Sequence, residues 1–160
     1  MECFAQNERA LRLYQGRGFA VLHPLYGYTR KIDDPPASTA TPESIALEDA
    51  FGWLEGMDLP LQVTPPSLRA LPVALQAWRH GTAQVVVSEG AEQMLAVHSL
   101  VDTDAAQASA EALMRAILPR YAGWTVNVPQ LQRPDVGGEA LERLGFARLA
   151  LHQVWMQRQP

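Results

Sequence analysis

"NERALRLYQGRGF", residues 7–19, is the stretch on which the fold turns. Asn7 suits the start of a helix, because its side chain can accept an amide of the first turn that has no partner inside the helix. Over residues 8–17, Ala10, Leu11, Leu13 and Tyr14 supply an apolar side, and Gly16 and Gly18 stop the helix. Phe19 then opens two strand-like runs, "FAVLH" and "YGYTRKI", separated by Pro24 and Leu25, which read as a hairpin or a bent strand pair.

Working outward, "DDPPASTATP" is a linker by composition, with paired prolines, small polar residues and no apolar period. "TPESIALEDAFGWLEG" reads as a core-facing helix, with Thr41 as N-cap, Pro42 at the first helical position, and Ile45, Leu47, Ala50, Phe51 and Leu54 at helical spacing. Pro60, Pro65, Pro66 and Pro72 interrupt the chain and leave room for a short helix over residues 67–71. "VALQAWRH", "AQVVVSE" and "QMLAVHSLVDT" are three strands of an antiparallel meander. The alanine- and leucine-rich residues 104–118 predict a helix closed by Pro119. A buried strand "WTVNVPQL", a short helix over residues 135–144 and a final long strand "FARLALHQVWMQ" complete the chain. Antiparallel strands followed by an αβαβ half imply an α+β layer structure on one mixed sheet.

One internal echo stands out. "RGFAVL" at residues 17–22 returns as "LGFARL" at residues 144–149, each after a short helix and each leading into a strand that ends in aromatic and basic residues. An offset of that size is far too long for a solenoid. It fits a tandem duplication whose first copy has lost its front: residues 1–32 as the C-terminal remnant of a first unit, residues 33–41 as linker and residues 42–160 as a second unit.

The totals bound the function classes. A chain of 160 residues, 48% hydrophobic and 19% charged, holds one domain with an appendage. A net charge of -4 with scattered arginines offers no broad basic surface for nucleic acid. Cys3 is the only cysteine and has no internal disulfide partner. Neither a leader nor a long apolar span is evident, which gives the expectation of a soluble cytoplasmic protein. His23, His80, His98 and His152 are dispersed without the spacing of a zinc site.

Residues 7–19 resemble the C-terminal motif of the GCN5-related N-acetyltransferase (GNAT) superfamily, with Asn7, Ala10, Tyr14, Gly18 and Phe19 matching its pattern. Residues 42–160 resemble a second, more weakly marked domain of that family. The resemblance implies a splayed central sheet in which acetyl-CoA lies, its pyrophosphate held by backbone amides at the start of the helix after the fourth strand. It also implies Tyr14 as general acid and Asn7 as a cofactor contact, and an amine as acceptor of the acetyl group.

Aligning Leu113, Met114 and Ile117 with the family's helix puts Ala105, Ala108 and Ala110 at the pyrophosphate-binding positions, where the family has Arg or Gln, then Gly, then Gly or Ala. Each departs from the usual residue, and Asp102 and Asp104 add negative charge beside them. A frame shifted by two starts at Gln107, with Ala110 and Ala112, but misplaces the apolar face. By the Gly-Phe offset, the family's Asn and Tyr fall at Pro134 and Leu141 of the second unit, and neither side chain can donate a proton.

Outside that frame, His98 is a candidate to orient a substrate or act as a base, and Glu89 and Glu92 are candidates to accept an amine's charge. Two functions follow as expectations: an acetyltransferase acting on an amine, or a catalytically inactive module serving dimerisation or regulation. The second unit has one strand after its Gly-Phe where the family has two. Strands of residues 1–32 are therefore expected to complete its sheet, within the chain or exchanged in a homodimer.

Overall fold

Residues 83–88 of "AQVVVSEG" are all buried, and that continuous burial marks the centre of a sheet covered on both faces. The computed structural model describes all 160 residues as one nine-stranded sheet flanked by helices. In chain order the elements are β1 (Glu2–Phe4), α1 (Glu8–Gln15), β2 (Phe19–Lys31), β3 (Glu43–Ile45), α2 (Leu47–Leu54), α3 (Pro65–Arg69), β4 (Leu75–His80), β5 (Ala83–Gly90) and β6 (Met94–Asp102). They continue with α4 (Ala108–Ile117), β7 (Thr125–Gln132), α5 (Gly138–Arg143), β8 (Ala147–Arg148) and β9 (Gln153–Arg158). The strand order is β1-β9-β2-β7-β6-β5-β4-β3, with β8 paired to β2. All pairings are antiparallel except β6 with β7.

Two helical layers cover the sheet. On one face, Ala110, Leu113, Met114 and Ile117 of α4 and Ala140 and Leu141 of α5 join Val85, Val87, Leu95, Val97, Val126 and Val128 in the principal core. On the other, Phe51, Leu54 and Leu68 of α2 and α3 pack with Val101, and Ala50 packs with Ala77 and Val86. This is the mixed, mostly antiparallel α+β sheet expected from the sequence.

The arm is built into that sheet. Residues 19–31 form one continuous strand rather than a hairpin, because both of its edges find partners. Its N-terminal half pairs with β9, and its C-terminal half lies between β7 and β8. The irregularity read at Pro24 and Leu25 becomes two register shifts, between Val21 and His23 against β9 and between Tyr26 and Tyr28 against β7. Leu25, Tyr28 and the following Ile32 are fully buried, and the last two belong to the principal core. So strands from the arm do complete the sheet, within the same chain.

Other elements differ from the sequence reading. Thr41 and Pro42 do not begin a helix: residues 43–45 pair with β4, and α2 starts after the extended Ala46, which provides no side-chain cap. The helix expected from residue 104 starts at Ala108, since Asp104 organises a turn by accepting the amides of Ala106 and Gln107. The final strand is broken, because Leu149 turns its amide onto the carbonyl of Gly27 and residues 149–152 leave the ladder. β1 carries no periodic signal over three residues, yet it pairs with β9 from Glu2 to Phe4.

Candidate functional site

The parallel neighbours β6 and β7 pair only from Met94 to Ala96 against Thr125 to Asn127, and then diverge. The divergence opens a wedge at their C-terminal ends, beside the start of α4. His98 lies along it, at the point where the β5–β6 register slips by one residue between Val97 and Ser99. Such a bulge turns one side chain out of the regular alternation. The imidazole Nε2 of His98 lies 2.7 Å from the hydroxyl of Ser88, and burial holds the ring below its ordinary pKa, so it is neutral at pH 7.

The wedge is filled by the chain itself. Gln132, buried at the end of β7, donates from Nε2 to the carbonyl of Leu100 across the opening at 3.0 Å, and to the carbonyl of Arg133 at 3.1 Å. Gly137 presses in behind it, so that a Cβ there would meet the Leu100 oxygen at 2.6 Å. What remains between His98, Leu100, Leu131, Gln132 and the loop of Leu59 and Pro60 is a pocket of about 20 Å³, room for roughly one water. A more open depression of about 360 Å³ adjoins it, bordered by Asp58, Asp102 and Asp135 as well as Arg133. Arg133 is already committed: it donates to Asp135 at 3.0 and 2.6 Å and to the carbonyl of Asp58 at 2.9 Å. That guanidinium holds the Asp135 carboxyl below its ordinary pKa.

The start of α4 is likewise occupied from within. Asp102, 2% exposed, accepts the amide of Ala110 on Oδ2 at 2.8 Å, and on Oδ1 the Thr82 hydroxyl at 2.6 Å and the Asp104 amide at 2.9 Å. Asp104 accepts the amide of Ala106 at 3.1 Å. A helix N-terminus attracts anions through its unpaired amides and positive dipole end, and here carboxylates of the chain take that place. Gln107 stands just before the helix with φ 56°, a left-handed conformation rare outside glycine, and is fully buried. Its side chain accepts the amide of Ala140 at 3.0 Å and donates to the carbonyl of Pro134 at 2.8 Å, which ties α4 to the turn before α5. Arg143 donates to the carbonyls of Ala106 and Gln107 and to Glu111.

The remaining candidates are scattered. Asn7 caps α1 by accepting the amide of Ala10 at 3.1 Å. Tyr14 sets its ring edge-on to Phe19 at 6.0 Å and packs with Cys3, Val154 and Met156. Ala105, Ala108 and Ala110 do lie together at the start of α4, which packs on β4, β5 and β6, whereas α1 packs on β2. The structure therefore does not bring Asn7 or Tyr14 to the three alanines. Pro134 stands in the turn before α5, and Leu141 is fully buried in the principal core. Glu89 accepts the hydroxyl of Tyr121 at 2.9 Å, and Glu92 is exposed in the β5–β6 turn with φ 59°. No three His, Cys, Asp or Glu side chains are grouped to hold a metal ion, and no helix is long and apolar enough to cross a membrane.

No family model and no curated protein matches the chain. Solved structures do. A GCN5-related N-acetyltransferase from Kribbella flavida superposes with a TM-score of 0.58 at 16% identity, over 99% of this chain and 67% of that one. Another from Sphaerobacter thermophilus gives 0.57 at 15%, over 99% and 58%. Eis1 from Mycobacterium abscessus gives 0.60 at 13%, over 98% and 46%.

The chain has the GCN5-related N-acetyltransferase fold. It spans between about half and two thirds of the length of these structures. The resemblance read in the sequence implies that acetyl-CoA would lie in such an opening, with its pyrophosphate at the start of α4. The residues present do not fit that cofactor. The pocket left inside the wedge holds about 20 Å³, the Ala110 amide is held by Asp102, and two further carboxylates, Asp58 and Asp135, border the adjoining depression. Sequence reasoning found Asp102 and Asp104 by their charge. It missed Gln132 and Gly137, since one glutamine ending a strand and one glycine of a Gly-Gly pair give no local signal of what they face across the wedge.

Proposed function

We propose that this chain is a catalytically inactive GNAT-like module that serves dimerisation or regulation of a partner, rather than a competent acetyltransferase. The observation that carries the reading is the Asp102 carboxylate on the Ala110 amide at 2.8 Å, where a phosphate of acetyl-CoA would need that amide. A bound phosphate there would displace a buried, triply hydrogen-bonded carboxylate and face Asp104 as a second like charge. The Gln132 bridge to Leu100 supports the same reading from the other side of the wedge.

The alternative, transfer of an acetyl group from acetyl-CoA to a small-molecule or peptide amine, is favoured by one feature. The β6–β7 divergence is retained, with the neutral His98 imidazole on its flank, a group able to accept a proton. Thermal unfolding with and without acetyl-CoA separates the two. Binding at 100 times the dissociation constant stabilises by about 2.7 kcal/mol, so a millimolar cofactor bound at ten micromolar would raise the melting temperature by several degrees. We expect no shift. A saturable rise, with acetylation of an amine acceptor, would overturn the inactive reading.

A further inference from the structure

Among the interior strands, β2 alone is delivered through the proline-rich linker. Its C-terminal half is hydrogen-bonded on both edges, to β7 and to β8, while its N-terminal half pairs with β9. Without it, β7, β8 and β9 would each expose an unpaired edge, and the places of Leu25, Tyr28 and Ile32 in the interior would stand empty. The groove fits this strand closely. A Cβ on Gly27 would meet Leu149, Gln130 and the Val128 carbonyl at 2.9 to 3.0 Å, and the Tyr28 hydroxyl reaches so near Gly138 that a Cβ there would lie 2.6 Å from it.

The tether has limited slack. Lys31 lies level with Thr125, which is level with Met94 and through it Gly90, two residues beyond the Ser88–Leu75 pair. Glu43 lies level with Arg79, at the other end of the sheet and on its far edge. Five strand spacings of ~4.8 Å and about six residues of ~3.3 Å put the two ends ~31 Å apart on the diagonal. The chain from Lys31 to Glu43 reaches at most ~43 Å when extended. Part of that reach is used in passing over α4, where residues 37–40 border Ala112 and Arg115.

Nothing in the groove depends on how its strand is tethered. We infer that the groove between β7 and β8–β9 is a strand-binding site open to β2 of a second copy of this chain. The length of the linker decides whether the strand comes from the same chain or from its neighbour. Each half of the resulting arm-exchanged dimer has the sheet described above, with every β2 contact preserved. This inference does not depend on whether α4 binds an anion, so it and the cofactor reading can fail separately.

The test uses the full chain in a Cys3→Ala background. Thr29 and Asn127 are paired across β2 and β7, with their side-chain oxygens 2.8 Å apart, so cysteines at both positions are placed to form a disulfide. With the native linker, dilute protein should close the disulfide within one chain. Deleting residues 37–40 cuts the greatest reach to ~29 Å, just below the span, and should give disulfide-linked dimers on a non-reducing gel and a doubled mass by light scattering. A folded monomer with an intrachain disulfide in the deletion variant would overturn the inference. Should that variant not fold, native-linker chains carrying Thr29→Cys alone and Asn127→Cys alone are unfolded and refolded together at high concentration. Covalent heterodimers then support exchange, and refolded protein without them refutes it.

Discussion

Replacing Asp102 by alanine tests the closed start of α4 directly. The carboxylate holds three donors, the Ala110 amide, the Asp104 amide and the Thr82 hydroxyl, at 2.6 to 2.9 Å. Thr82 and Asp104 are exposed, and water can replace what they lose. Ala110 is fully buried, so its amide would be stranded. A buried donor left without a partner costs ~1–3 kcal/mol, and loss of an anion at a helix N-terminus adds ~0.3–1 kcal/mol. We expect Asp102→Ala to destabilise by about 3 kcal/mol, read as a lower urea midpoint. For a chain of this size that corresponds to a melting temperature lower by roughly 6–12 °C. Asp102→Asn keeps an oxygen for Ala110 and should cost about 1 kcal/mol. A loss below about 1 kcal/mol in the alanine variant would refute the assignment of Asp102 as the internal cap of α4.

Two other outcomes are expected. Glu111 is held below its ordinary pKa, first by the hydrogen bond from Arg143, so its folded-state value lies under its unfolded one. The stability it contributes is then full above the ordinary carboxylate range and lost as pH falls through the folded value. The urea midpoint of Glu111→Gln should fall less steeply than that of the native chain between about pH 5 and about pH 3, and parallel curves would remove Glu111 from the acid response. Gly137→Ala would force a Cβ to within 2.6 Å of the Leu100 carbonyl and 2.8 Å of the Gln132 amide. Overpacking of that kind costs ~1–3 kcal/mol; an unchanged melting temperature would show that the wedge is looser than described.

Much of the fold was legible because it rests on local chemistry. The β4–β6 meander alternates or runs continuously apolar, α4 is alanine-rich and closed by Pro119, and Asn7 caps α1 as its position suggests. What was not legible is non-local. A hairpin and a continuous strand look alike across Pro24 until β7 and β9 supply partners, and β3 exists only because the edge of β4 takes residues 43–45. The candidate site divides in the same way. Charge at Asp102 and Asp104 was visible in sequence, and so were the alanines that replace glycine. That Gln132 reaches across to Leu100 depends on residues 32 positions apart and on the angle at which two strands diverge.

The position of β2 also orders how the chain can fold. Its partners β7, β8 and β9 lie roughly a hundred residues or more away in sequence, and β9 ends two residues before the last residue, Pro160. Contacts this distant must close long loops before they yield any stabilisation, which slows folding. During synthesis β2 is made before any of its partners, and it gains β7 on one edge before β8 and β9 can cover the other.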